Sequence, residues 1–148
     1  MNNAQLQAVG SVEHVPKRGA SISDALYFAV RCAVMAPSSH NSQPWQFKIL
    51  KDGMMLMLDR RRALPVVDPY DREMIISCGA ALFNTRVALA YAGKRARIDV
   101  RPDSMDEDLL VRITLDGDEL VSQDGALASL YPAARLRWLQ PVQAMRAV

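Results

Sequence analysis

The chain is poor in the residues that build metal centres, disulfide frameworks and membrane spans. It has two cysteines and two histidines among 148 residues, and neither a CxxC motif nor a Cys/His ligand spacing occurs, so a metal site is not expected. No continuous run of about 18 apolar residues indicates a spanning helix. Residues 1–20 also lack the apolar core of a signal peptide. We therefore expect a cytoplasmic protein with no membrane partner.

An excess of charge of either sign is also missing. The chain has 18 basic and 16 acidic side chains and a formal net charge of +2, so nucleic acid is not expected as a partner. Half of the residues are hydrophobic, which is enough for the core of one domain at this length. Cys32 and Cys78 lie in apolar helical stretches, and we expect both thiols to be buried and reduced.

Hydrophobic spacing divides the chain into a flexible N-terminal arm, residues 1–20, and a single lobe, residues 21–148. Helical periodicity predicts helices over about 23–35 and 71–92. Two-residue alternation or short apolar runs predict strands at 45–49, 54–58, 96–100 and 109–115. From Gly125 onward a short helix is expected, interrupted by Pro132 and Pro141. The order of elements is thus helix, two strands, helix, two strands.

Several local signals add detail to this outline. Gly53 in the first hairpin turn is expected to supply a positive φ, and Asp71 is expected to cap the long helix that Gly93 ends. A glycine inside that helix, Gly79, costs about 1 kcal/mol against alanine, so another group is expected to approach closely there. The run 60–62, three arginines, is interpreted as a solvated strand end.

The segment Pro37–Trp45 carries the most chemical information. Its polar side chains offer hydroxyls and amides that donate and accept, and could match the pyrimidine edge and ribityl hydroxyls of a flavin; they are Ser38, Ser39, Asn41 and Gln43. Pro37 and Pro44 stiffen the segment, which lowers the entropic cost of ordering it on binding. Composition alone equally allows a helix-stop loop whose hydroxyls cap backbone groups.

These residues resemble the fingerprint of the FMN-dependent nitroreductases, a helix followed by Pro-Ser-x-x-Asn-x-Gln-Pro-Trp and a strand. Residues 79–84 are similar to the family's central helix, which packs at the dimer interface. Residues 59–73 resemble the N-terminal half of two-lobed single-chain members, in which two nitroreductase halves share one polypeptide. The resemblance covers about residues 29–115.

The resemblance implies an α+β lobe with a mixed sheet flanked by helices, and a self-associating protein, expected to be a dimer. It implies FMN as cofactor, with Pro37, Ser38, Ser39 and Asn41 as flavin contacts, and NAD(P)H as electron donor. A nitro-aromatic, quinone or similar small molecule would accept the electrons. No catalytic residue is expected, because the reactive atoms belong to the cofactor. Beside the flavin contacts, Gln43 would satisfy loop backbone and Trp45 would anchor the strand in the core.

The sequence also departs from the family pattern. The Arg-Arg-Ser run that grips the flavin phosphate is missing, although Lys17-Arg18 lies at about its place. Counterparts of the closing helices and strand are missing too, so the lobe is expected to be incomplete, or truncated. Two alternatives stay open, a non-catalytic flavin-binding or flavin-sequestering module and a purely structural interaction domain. His40 is interpreted as either a proton donor or a solvent-facing loop residue.

Overall fold

The computed structural model of the chain describes residues 15–16, 20–115 and 125–139, with side chains as far as residue 136. Most of the predicted N-terminal arm, including Lys17-Arg18, lies outside the described residues, and so does Pro141.

The described residues form four α-helices and four β-strands. In chain order they are α1 (Ile22–Ala33), β1 (Trp45–Ile49), β2 (Gly53–Leu58), α2 (Arg72–Tyr91), β3 (Ala96–Val100), β4 (Leu109–Leu115), α3 (Gly125–Ala128) and α4 (Tyr131–Leu139). Two short 3-10 turns, Ser39–Asn41 and Arg60–Arg62, lie in the connections. The predicted helices over 23–35 and 71–92 and the four predicted strands are confirmed, with bounds that differ by at most two residues.

The strands form one sheet in the order β1-β2-β4-β3. All three strand pairings are antiparallel, so the predicted α+β class is confirmed, whereas the described part of the chain contains no parallel pair of the expected mixed sheet. The long connection through α2 joins β2 to β3, but β4 lies between these two strands and pairs antiparallel with both, so they never become neighbours. β1 and β3 form the two edges of the described sheet.

One face of the sheet packs against α1 and α2. The buried strand residues on this face alternate along each strand and are Trp45, Phe47, Met54, Leu56, Leu58, Val111, Ile113 and Leu115. The opposite face carries Gln46, Lys48 and Arg112, and its two methionines, Met55 and Met57, are only half-buried. β2 is therefore covered mainly on one side.

Gly53 begins β2 without the positive φ that the sequence predicts; in the described residues the glycine with positive φ is Gly93, at 71°. A Cβ on Gly53 would lie 2.0 Å from the main-chain oxygen of Ile113. The hairpin thus requires glycine because β4 passes too close for any side chain. Gly93 ends α2 as predicted, since a left-handed residue after the last turn is the common helix stop.

The start of α2 corrects a second expectation. Asp71 has a φ of 56° and makes no capping hydrogen bond, because a capping side chain normally projects from an extended backbone. Its carboxylate pairs instead with Arg60 at 2.9 Å. Buried Asp68 provides the bond expected of Asp71, since its Oδ2 accepts the N–H of Met74 at 2.9 Å.

Two further helices complete the described core. α1 begins at Ser21, whose hydroxyl accepts the N–H of Asp24 at 3.1 Å, and it buries residues such as Leu26 and Phe28, each worth about 1.5–3 kcal/mol. α4 is held by buried Tyr131, whose ring stacks on Tyr91 with centroids 4.0 Å apart. Burial raises the pKa of Tyr131 to about 12. Pro132 lies in the first turn of α4, where proline is tolerated.

α2 crosses the molecule with one buried and one exposed side. Among the described residues it is the helix long and apolar enough to span a membrane, with a mean hydropathy of 1.3, yet half of that segment is buried inside the fold. A core helix meets the same criteria of length and composition. Burial raises the pKa of both Cys32 in α1 and Cys78 in α2 to about 12. Both thiols are buried and free, as the sequence predicts.

Candidate functional site

The connection between α1 and β1, residues 37–44, is a strained surface loop, called here the elbow loop. His40, Asn41 and Gln43 have φ values of 50°, 53° and 49°. A left-handed conformation costs a residue other than glycine of the order of 1–3 kcal/mol, and it persists only where surrounding contacts hold it. Strain of this kind clusters at functional sites, which makes the contacts of the loop informative.

The first half of the elbow loop is bonded to itself and to α2. Ser38 Oγ accepts the N–H of Gln43 at 2.9 Å, and the N–H of Ser39 donates to Ser77 Oγ at 3.3 Å. The hydroxyl of Ser39 donates to the carboxylate of Glu73. Glu73 and Ser77 are one helical turn apart on α2, so both reach the loop from the same side.

The second half is held from β2, from the turn after it and from α2. The carbonyl of Pro44 accepts the N–H of Asp59 at 3.0 Å and the thiol of Cys78 at 3.4 Å. The carbonyl of Ser42 accepts Nη1 of Arg62 at 3.1 Å. Separate elements therefore fix the backbone of a loop that would be strained by itself.

The four predicted flavin contacts lie together on this loop. Pro37 and Asn41 are exposed, and Ser38 and Ser39 are half-buried. The hydroxyl oxygen of Ser38 accepts the N–H of Gln43, so the hydroxyl proton of Ser38 is still available to donate. The hydroxyl of Ser39 donates its proton to the Glu73 carboxylate, so its oxygen is still available to accept. The side-chain amide of Asn41 makes no hydrogen bond within the described residues. The capping interpretation of the serines and the ligand-binding one are thus compatible.

The sequence predicts roles for three more side chains in or beside the loop, those of Trp45, His40 and Gln43. Trp45 is 6% exposed, which confirms it as a core anchor, although its buried Nε1 has no hydrogen-bond partner in the described part of the chain. His40 is exposed, and its Nδ1 lies 3.1 Å from Ser39 Oγ. The proton-donor role of His40 and the structural role of the Gln43 amide stay predictions.

An open, largely apolar cavity of about 400 Å³ adjoins the elbow loop. It lies between the end of α1, the middle of α2 and α4, and is lined by Met35, Pro37, Ala80, Phe83, Asn84, Leu130, Ala133 and Ala134. Its volume is within the range of small-molecule sites. A second cavity of about 470 Å³ lies beside the edge strand β1 and shares no lining residue with the first. Only the first includes a residue of the elbow loop.

The exposed side of α2 continues from this cavity. Ile76, Gly79, Ala80 and Phe83 follow the spacing of one helix face, and Ile76 and Phe83 are 67% and 45% exposed. A Cβ added to Gly79 would meet nothing within 4 Å. The close approach expected at Gly79 is therefore not made by any described residue of this chain.

The three arginines follow the end of β2 and are largely solvated, as expected, with Arg61 79% exposed, but they lie in a 3-10 turn and have carboxylate partners. Arg60 pairs with Asp71 at 2.9 Å and Asp108 at 2.5 Å, and Arg61 pairs with Asp59 at 2.8 Å. The hydrogen bond from Arg61 lowers the pKa of Asp59 more than burial raises it. In return, the same bond raises the pKa of Arg61. Because the residues lie in a turn, Arg60 and Arg61 reach different carboxylates.

Comparison with known proteins assigns the chain to a family. No family model matches it, but the acg protein of Mycobacterium tuberculosis, whose name places it among the NAD(P)H nitroreductases, is 37% identical over 101 residues, or 68% of this chain. A second protein of that species with the same kind of name is 38% identical over 103 residues, or 70% of this chain. This chain belongs to the nitroreductase family. The resemblance identified in its sequence is thereby confirmed.

Coverage of these relatives is partial. This nitroreductase-family chain spans 30% of the length of both mycobacterial proteins. PigM of Serratia, also named as an NAD(P)H nitroreductase, is 35% identical over 75 residues, which is 49% of this chain and 21% of PigM. The matched region is therefore a part of each relative.

Four residues that contact the elbow loop of this nitroreductase-family chain were missed in the sequence. They are Arg62, Glu73, Ser77 and Cys78. The helical spacing of Glu73 and Ser77 could have placed them on one face of α2. Nothing in the local pattern indicates that this face meets a loop more than 30 residues earlier in the chain.

Proposed function

We propose that this chain is the cofactor-binding lobe of an NAD(P)H-dependent oxidoreductase that binds FMN without a covalent bond. In this proposal the electrons pass to a nitro-aromatic, quinone or similar small acceptor in the cytoplasm. The observation that carries the proposal is the elbow loop, whose strained backbone is fixed from several elements while the side-chain amide of Asn41 has no partner among the described residues. The names of the relatives support NAD(P)H as the donor.

The groups available on the loop suit the polar part of a flavin. Ser38 offers a hydroxyl proton, Ser39 a lone pair and Asn41 both a donor and an acceptor, and the pyrimidine edge of a flavin carries both carbonyl acceptors and an N–H donor. The carboxylate of Glu73 beside Ser39 would repel a phosphate. We therefore assign the loop to the ring and the ribityl chain, with the phosphate held elsewhere.

In this assignment the protein binds and orients, and bound FMN supplies the redox chemistry. The bonds from Ser77 and Arg62 keep the loop in its strained form, so that little ordering cost is left for binding. The apolar cavity beside Pro37 offers a surface against which an apolar ring could pack. No side chain of the described residues is assigned an acid or base role.

We also propose that a second copy of the chain covers the exposed face of α2. Ile76, Gly79, Ala80 and Phe83 would otherwise leave an apolar surface in water, and Ala80 and Phe83 line the same cavity as Pro37. A dimer through this face would close the cavity and cover the elbow loop. The partner copy would then form the second wall of the cofactor site.

The dimer is tested by placing a charge on this face. Phe83→Glu should shift the protein to monomer in light scattering and weaken FMN binding by roughly tenfold or more, because a buried unpaired carboxylate opposes association. Val100→Glu is the matched control, since Val100 is 68% exposed on β3, away from this face. A wild-type monomer at micromolar concentration, or a Phe83→Glu variant that still dimerises, contradicts the proposal.

A non-catalytic flavin-binding module is the second candidate. It is favoured by the Glu73 carboxylate at the loop, whose charge would weaken the binding of an anionic cofactor. The oxidation of NADH and of NADPH should be followed optically with FMN-loaded protein, with and without a quinone or nitro-aromatic acceptor. Acceptor-dependent oxidation above the rate of free FMN supports the oxidoreductase. Binding of FMN without any such oxidation favours the module.

A further inference from the structure

We propose that Arg62 is a positioning residue of the elbow loop, and that buried Asp59 holds it in place. The inference rests on the proposed function, because the loop it positions is the assigned flavin contact. Nη1 of Arg62 donates to the carbonyl of Ser42 at 3.1 Å, and its Nε lies 3.4 Å from Oδ2 of Asp59. One guanidinium thus joins the end of β2 to the middle of the loop.

The carbonyl that Arg62 holds is the one where control of the backbone matters most. Ser42 lies between Asn41 and Gln43, which are both left-handed, and its carbonyl belongs to the peptide that leads into Gln43. Rotation of that peptide would let Gln43 return to an ordinary conformation and release its N–H from Ser38 Oγ. A charged donor on the Ser42 carbonyl opposes this rotation, because charge-assisted hydrogen bonds are stronger than neutral ones.

Asp59 is suited to anchor the guanidinium. Its side chain is 6% exposed, and its main-chain N–H bonds the carbonyl of Pro44 at the end of the loop. Both of its oxygens also accept bonds from Arg61, at 2.8 and 3.0 Å. A carboxylate fixed by these contacts cannot follow Arg62 outward, so the arginine is held against the loop.

The neighbouring arginines distinguish this role from a general need for positive charge. Arg60 pairs with Asp71 and Asp108, and Arg61, with a side chain 79% exposed, pairs with Asp59. Neither makes a hydrogen bond to the elbow loop among the described contacts. Of the three adjacent arginines, Arg62 therefore bonds the elbow loop, and its neighbours offer positions for matched controls.

The test is amide hydrogen exchange at Asn41, Ser42 and Gln43, whose N–H groups bond to Ser38 O, Ser39 O and Ser38 Oγ. Arg62→Gln should speed exchange at these amides by about tenfold, the size expected for a partly exposed charge-assisted bond. Amides in β2 and β4 should be unchanged. Arg60→Gln, which leaves Asp59 and its partners in place, should leave the loop amides at the wild-type rate, and Arg62→Lys should restore part of the protection.

FMN affinity is the second readout, and Arg62→Gln should weaken it by a similar factor. Loop exchange in Arg62→Gln equal to that in Arg60→Gln would overturn the assignment of Arg62. Should Arg62→Gln fail to fold, Arg62→Lys decides, because an ammonium cannot make both contacts of the guanidinium, and unchanged loop exchange in it overturns the assignment. If exchange responds as expected but the wild type binds no FMN, the positioning role stands and the proposed function fails.

Discussion

The chain enters β1 through the elbow loop and leaves it through the turn at residues 50–53, and the two connections are built in opposite ways. The elbow loop places three non-glycine residues in the left-handed region and needs bonds from β2, α2 and the arginine turn to keep them there. The exit turn has no residue with positive φ. It is fixed by the passage of β4, close beside Gly53.

This difference is the one expected if the exit turn serves the fold and the elbow loop, as proposed, presents groups to a ligand. In the exit turn, Leu50 donates to the carbonyl of Gly53 and Asp52 accepts from Leu115, both at 2.8 Å, so its polar groups are used within the sheet. In the elbow loop the backbone is bonded, whereas the side-chain amide of Asn41 makes no hydrogen bond to any described residue. Backbone strain of this kind is frequent at functional sites.

The largest expected effect lies in the exit turn. Gly53→Ala would place a Cβ 2.0 Å from the carbonyl oxygen of Ile113, and separating β2 from β4 should cost about 3 kcal/mol or more. Urea unfolding at neutral pH measures the loss. A Gly53→Ala protein as stable as the wild type would show that the two strands do not approach as described.

A smaller loss is expected at the carboxylate that joins the arginine turn to the elbow loop. Asp59→Asn should lower the free energy of unfolding by about 1 kcal/mol at neutral pH, because the charge of a buried carboxylate that pairs with the partly exposed Arg61 and Arg62 is lost. Chiefly because of the hydrogen bond from Arg61, the folded-state pKa of Asp59 lies below its ordinary 3.8.

The pH dependence of that variant follows from the sign of the shift. A lowered folded-state pKa stabilises the protein above the unfolded value, and the contribution is lost as the pH falls through the folded-state pKa. The wild type should therefore exceed Asp59→Asn in stability at neutral pH, and the gap should close below about pH 4. Urea unfolding of both proteins along a pH series measures this gap, and a gap that widens in acid would contradict the assignment.

Gly79 provides a smaller effect of the opposite sign. A Cβ there meets nothing within 4 Å in this chain, and alanine exceeds glycine in helix propensity by about 1 kcal/mol. Gly79→Ala should therefore stabilise the isolated chain by up to about 1 kcal/mol in urea unfolding, while it weakens self-association measured by light scattering. Stabilisation without any change in association would remove Gly79 from the proposed dimer face.

The sequence predicts the fold better than it predicts the contacts of the site. Strands and helices follow from apolar periodicity, which is a local property, and the bounds of β3 and β4 agree at both ends with those observed. The elbow loop was identified by its motif. The side chains that hold the loop were not identified, because Arg62 and Glu73 are separated from their loop partners by 20 and 34 residues of sequence.

The two corrected turns show the same limit. Asp71 has the right residue type and position for a helix cap, but its left-handed backbone leaves the capping bond to Asp68. Gly53 was correctly identified as a turn residue and given the wrong reason, since its requirement comes from Ile113, far along the chain. At both positions, contacts with the rest of the fold decide which backbone conformation and which hydrogen bonds form, and the local sequence does not distinguish them.

The most direct test of the account is a visible-spectrum titration of the purified protein with FMN, comparing the wild type with Asn41→Asp. Aspartate keeps the size of asparagine and its tolerance of left-handed backbone, but it replaces the amide donor by an acceptor. We predict a saturable shift of the flavin bands with the wild type and binding weaker by roughly tenfold or more with the variant. A folded, associated wild-type protein that leaves the flavin spectrum unchanged at saturating FMN would contradict the account.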